Sequence, residues 1–227
     1  YKTKRVRMDA PQNALNKALA LHGQGKFDEA IVEYQQIRRR HPGDQTVAAN
    51  LASALIRTGK FDDGIALYEE LTSRSDQQPE LWFNYANALQ RAGQLAKSQQ
   101  AFERTLQVAP KFFPAALNLA NLVRDLGNSE TAVELYRRAI ALNCQHPKPR
   151  VNLARLLRRQ KRYSETHSVL SDGIRAENQS VELLYERAIL GYETGEPDAA
   201  LNTARQILTI QPSYGNAYTL IGLVEYE

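Results

Sequence analysis

Residues Trp82 to Pro110 read WFNYANALQRAGQLAKSQQAFERTLQVAP. The stretch holds a Trp, then Tyr85, Ala86, Leu89, Gly93, a small residue at Ser98, Phe102 and a closing proline. Shifted by 34 residues in either direction, the same skeleton returns. Self-similarity at a fixed period of this length is the signature of a repeat array.

The small positions fix the register. Ala18, Ala52, Ala86, Ala120, Ala154, Ala188 and Gly222 fall on one 34-residue grid. Ala30, Gly64, Ser98, Ala132, Thr166 and Ala200 form a second small series. Two small residues in one hairpin let two helices approach closely, because the interaxial distance follows the side chains at the contact. Large residues alternate with them: Leu21, Leu55, Leu89, Val123 and Leu157 on the first helix, and Tyr34, Tyr68, Phe102, Tyr136 and Leu170 on the second. Gly25, Gly59, Gly93, Gly127 and Gly195 mark the turn between them, where glycine takes a left-handed backbone cheaply. The run GKFDEAIVEYQQI places Phe27, Ala30, Ile31, Tyr34 and Ile37 at helical spacing.

This pattern resembles the tetratricopeptide repeat (TPR) family over nearly the whole chain. The resemblance implies an all-α fold, a right-handed TPR superhelix (α-solenoid) of antiparallel helix pairs. Residues 11–227 then form one array with repeats starting at Pro11, Gln45, Pro79, Phe113, Pro147 and Val181, and a half repeat at Gly215. Repeat five carries Lys161 where glycine is usual. Repeat six carries Gly191 at a large position and Pro197 at an aromatic one, which predicts looser packing there. Lys17 occupies an apolar position in the first repeat, whose outer face meets water.

Charge and composition narrow the function. The net charge is +4, and Lys2, Lys4, Arg5 and Arg7 account for all of it, so residues 8–227 are neutral on balance. A neutral body lacks the electrostatic footprint of a nucleic-acid binder. Residues 1–10 read as a fused remnant or a basic arm ahead of the array. No apolar run approaches the ~20 residues that span a bilayer. The single cysteine, Cys144, allows no internal disulfide and reads as a solvent-edge thiol; this suits the cytoplasm, with the periplasm as the alternative. The four histidines share no metal spacing, and no phosphate loop or nucleophile–base set is placed by the repeat grid. The chain therefore reads as a non-enzyme with no cofactor.

The sixth place of successive repeats is Asn16, Asn50, Asn84, Asn118 and Asn152, then Glu186 and Leu220. Asparagine is a mediocre helix former, so the helix gains nothing from it. Its amide offers one acceptor and two donors, which matches a peptide bond. The row resembles the asparagine ladder of the O-GlcNAc transferase TPR superhelices, where the family's concave face is built from first helices. That resemblance implies a groove holding extended peptides, with Asn87 and Asn121 at the ninth place adding amides. The bland alternative is that these asparagines only bond neighbouring repeats. Arg57, Arg91, Arg124, Arg155, Arg158 and Arg159 fall at ninth, twelfth or thirteenth places of repeats two to five. They predict a basic groove suited to acidic peptides, followed by an acidic patch at Glu182, Glu186 and Glu193. Phe83, Tyr185 and Tyr192 are aromatic candidates on the same face. Glu80 and Asn84 stand where a carboxylate clamp needs cations, so no chaperone-tail clamp is expected.

The expected partners are proteins or peptides, not nucleic acid or membrane. Two alternatives stand beside the peptide-binding module. One is an N-terminal recognition arm of a larger glycosyltransferase or sulfotransferase, expected because the last helix reads as an ordinary first helix without a polar cap. The other is a scaffold that self-associates through exposed Tyr218, Ile221 and Val224.

Overall fold

The computed structural model describes residues 10–176 and 180–226. Of residues 1–10, read as a remnant or arm, all but Ala10 lie outside them, and Ala10 is the first residue of the first helix. The described residues form thirteen α-helices and no strand. In order these are α1 (Ala10–Gly23), α2 (Phe27–Arg40), α3 (Gln45–Arg57), α4 (Phe61–Arg74), α5 (Pro79–Arg91), α6 (Leu95–Val108), α7 (Phe113–Asp125), α8 (Ser129–Leu142), α9 (Pro147–Arg159), α10 (Tyr163–Ala176), α11 (Val181–Glu193), α12 (Pro197–Ile210) and α13 (Gly215–Tyr226). Six consecutive pairs, α1–α2 through α11–α12, make the hairpins of an all-α solenoid, with α13 as a single further helix. The helices divide between two compact units, one ending at Pro110 and one beginning at Lys111.

Each hairpin closes by the same device. An N–H in the turn bonds back to the carbonyl of the first-helix residue five positions earlier: Lys26 to Leu21, Lys60 to Leu55, Gln94 to Leu89, Asn128 to Val123, Arg162 to Leu157 and Glu196 to Gly191, at 2.8–3.1 Å. This Schellman closure needs one left-handed residue, supplied by glycine at φ 75–86° in five hairpins and by Lys161 at φ 58° in the sixth. Lys161 thus adopts the glycine conformation rather than abolishing the turn.

Inside the hairpins the two small series touch. Ala18, Ala30, Ala52, Ala86, Ser98, Ala120, Ala132, Ala154, Thr166, Ala188 and Ala200 are all fully buried. Ser98 Oγ donates to the Ala86 carbonyl at 2.8 Å, a direct link across one hairpin. At Gly64 a Cβ would lie 2.8 Å from Ile56 and 3.0 Å from the Ala52 carbonyl, so only glycine fits. Gly191 departs from the expectation of loose packing: a Cβ there would already meet the Ala200 backbone N at 3.4 Å, because α12 approaches where a leucine would otherwise sit.

Inter-repeat loops are tied by side chains. Asp44 Oδ1 caps α3 by accepting from the Val47 N–H at 3.0 Å, and Ser180 Oγ caps α11 through Leu183. Trp82 Nε1 donates to the Asp76 carbonyl at 2.9 Å while Arg104 ion-pairs with the Asp76 carboxylate, fixing the loop before α5. Lys17 is exposed and pairs with Glu33 at 2.6 Å.

Candidate functional site

The sixth-place residues all lie on first helices, in the middle of α1, α3, α5, α7 and α9. In the first unit Asn16 and Asn84 are exposed and Asn50 is half-buried; α3 packs beside α5. Asn50 Nδ2 donates to the Thr46 carbonyl one turn back at 2.9 Å, and Asn87 Nδ2 does the same to Phe83 at 2.8 Å. Each such bond uses one of the two amide hydrogens. Arg57 lies over the Phe27 ring, 5.3 Å from its centroid. Burial, the larger cause, and that guanidinium hold the neighbouring His22 below its usual range. Arg91 is exposed and takes part in no ion pair among the described residues.

The second unit is more interlocked. Asn152 Nδ2 donates to Asn121 Oδ1 at 2.8 Å, and the Tyr136 hydroxyl donates to the same oxygen at 2.7 Å. Arg124 Nη1 donates to the Tyr136 hydroxyl at 3.1 Å and its other nitrogens hold Asp125 at 2.8–2.9 Å. Burial pushes the Tyr136 phenol up to about 12, partly countered by Arg124. Asn118 is half-buried on α7. One ninth-place amide, one sixth-place amide and one twelfth-place arginine therefore form a single polar cluster, with Tyr136 as a member that its packing position concealed.

Two arginines of the predicted basic groove pair with two carboxylates of the predicted acidic patch. Arg155 Nε lies 2.5 Å from Glu186 Oε1, Arg158 Nη2 lies 3.5 Å from Glu186 Oε2, and Arg158 Nη1 binds Glu193. Glu186 is only 2% exposed, on α11, which packs beside α9. These two arginines already have carboxylates; Arg159 remains exposed without an ion pair among the described residues. Of the aromatic candidates, Phe83 sits 6.0 Å from Phe102, Tyr185 makes an edge contact of 5.6 Å with Tyr214, and Tyr192 is half-buried. On α13 the exposed apolar residues are Tyr218, Leu223 and Tyr226, at 56%, 51% and 94%. Val224 is instead buried in the core of the last hairpin and Ile221 packs against it, because they lie on the α12-facing side.

Cys144 is an exposed free thiol. Among the described residues no three His, Cys, Asp or Glu could hold a metal ion, and no helix is long and apolar enough to cross a membrane.

Known proteins agree with this architecture. Profiles of the tetratricopeptide repeat match residues 21–82, 58–123 and 115–148, together more than half of the chain. No curated protein matches in sequence. Among solved structures, a tetratricopeptide repeat protein from Parabacteroides merdae is similar with a TM-score of 0.72 and 19% identity, over 95% of this chain and 86% of that one. PilF from Pseudomonas aeruginosa is similar with a TM-score of 0.71 and 16% identity, over 94% and 97%. YrrB, a TPR protein with an unusual peptide-binding site, is similar with a TM-score of 0.62 and 15% identity, over 82% and 96%. The helix pairs, the repeat grid and these profiles together make the chain a member of the tetratricopeptide repeat family, a fold that supports protein–protein interaction.

Proposed function

We propose that the chain binds extended peptide segments through the amides at the sixth repeat place, so that backbone rather than side chains is read. The supporting observation is the in-register row on first helices, with Asn50 and Asn84 outside the fully buried core in the first unit. An amide that can both donate and accept satisfies a peptide N–H and C=O together, whatever the peptide's sequence. The structural likeness to YrrB, itself described as having a peptide-binding site, is consistent with this use of the fold. Arg91 in the first unit and Arg159 in the second, each exposed, give acidic side chains of such a peptide somewhere to bind.

The cleanest test uses Asn50→Ala with Asn84→Ala, since Asn152 and Asn121 also bond each other. Affinity for a panel of unrelated extended peptides, read by fluorescence anisotropy, should fall roughly tenfold together if two backbone-directed bonds are lost. Unchanged affinity in a folded variant means that the amides are not the site.

A second reading, association of copies through α13, has the exposed Tyr218, Leu223 and Tyr226 in its favour. Sedimentation at rising concentration tests it: a dimer lost on Leu223→Lys supports it, and a strict monomer ends it.

A further inference from the structure

Repeat six carries a third departure besides Gly191 and Pro197. The seventh place of the repeat is a buried large residue at Leu51, Tyr85, Leu119 and Leu153, but Arg187 in repeat six. Arg187 is half-buried on α11, and its Nη2 donates to Gln206 Oε1 at 3.1 Å. Among the described residues no carboxylate forms an ion pair with it, in contrast to Arg155 and Arg158 on α9. Burial pulls its guanidinium below the usual arginine range. A half-buried cation bonded only to a neutral amide has lost part of its hydration without gaining a counter-charge, so a ligand that supplies the charge gains from meeting it.

The surroundings suit such a ligand. Arg187 opens into a groove of 640 Å³ between α10, α11 and α12, floored by Leu190 and Gly191. Hydroxyl, imidazole and amide side chains line it. Thr194 and Thr203 hydroxyls already donate to their own helix carbonyls, but Ser164, His167 and Asn202 make no side-chain hydrogen bond among the described residues. Glu196 is the one lining carboxylate, and it lies on the exposed hairpin turn. Arg187 stands at the seventh place, not at the sixth-place row, so the groove is separate from the proposed peptide site.

We propose that this groove is an anion site taking a single oxyanion, a carboxylate or a phosphate, on Arg187, with Asn202 and Ser164 as neutral donors. Arginine's planar fork suits both anions, and the two sources are told apart by experiment. The test follows the Arg187 Nε–H resonance by NMR while inorganic phosphate or acetate replaces chloride at constant ionic strength. A saturable shift with phosphate alone assigns a phosphorylated ligand; a saturable shift with acetate assigns an acidic peptide side chain or terminus. Asn202→Ala, a change at an exposed position, should weaken the responding anion several-fold, roughly up to tenfold. In Arg187→Met, backbone shifts of Leu190 and Asn202 on titration should vanish. No response to either anion beyond the chloride control, or backbone shifts that persist in Arg187→Met, would overturn the proposal. The Asn50 and Asn84 variants leave this readout untouched, so the two sites fail or stand independently.

Discussion

Replacing Glu186 by Ala tests whether the arginines of α9 are held by the protein or open to ligands. Glu186 is 2% exposed and receives Arg155 at 2.5 Å and Arg158 at 3.5 Å. Removing one partner of a fully buried ion pair costs about 3–5 kcal/mol, because the other charge is stranded. Here the loss is smaller. The Arg155 side chain is 47% exposed and turns to water, and Arg158, at 17%, keeps Glu193. Arg158 Nε, however, is buried without a partner, so the guanidinium is poorly solvated once Glu186 goes. A cost of about 2–3 kcal/mol follows. Glu186→Gln keeps shape and an acceptor and exchanges a charged bond for a neutral one, for about 1 kcal/mol. Because a repeat array unfolds by neighbouring units, the readout is hydrogen exchange along α9 and α11 together with urea unfolding. Protection in both helices should fall, with little rescue by salt, since buried pairs are weakly screened. The same variant should bind acidic peptides better, because Arg155 loses its internal carboxylate while Arg158 keeps only Glu193. A loss below about 0.5 kcal/mol with unchanged protection refutes the account, as surface substitutions fall in that range.

Three further outcomes are expected. Lys161→Gly should stabilise the chain by about 0.5–1 kcal/mol in urea titration, since relief of a left-handed L-residue (φ 58°) exceeds glycine's extra chain entropy. Gly64→Ala should cost about 1–3 kcal/mol by the same assay, because the added Cβ meets Ile56 and the Ala52 carbonyl, and an equally stable variant would deny that α3 and α4 are that close. Burial pushes the Tyr68 and Tyr136 phenols each up to about 12, so the folded chain keeps protons that the unfolded chain releases near 10. The stability these protons carry is whole below pH 10 and is lost as pH rises through 12, each residue giving up about 1.4 kcal/mol for every tenfold fall in proton concentration across that window; phenolate absorbance in Tyr136→Phe should lose one late-titrating group.

What the sequence showed and what it hid divide along a physical line. Helix starts at Gln45, Pro79, Phe113, Pro147, Val181 and Gly215 were legible because each repeat states its small, large and turn residues again, and backbone geometry depends on those types alone. Side-chain pairing was not legible, because it depends on which residues of adjacent repeats meet. Arg155 and Glu186 are 31 residues apart, three short of the period, and only the packing of α9 beside α11 brings them together. Asn121 and Asn152 show the same separation and the same lesson. The register also held a signal whose meaning depends on burial. Lys17 and Arg187 occupy the same repeat place, but the first is exposed and paired with Glu33, while the second is half-buried and lines a groove between α10, α11 and α12. At Arg187 the hydrophobic contact has been given up without a carboxylate in return, and this is why Arg187 marks a site of its own, apart from the exposed Arg91 and Arg159 assigned to the peptide row.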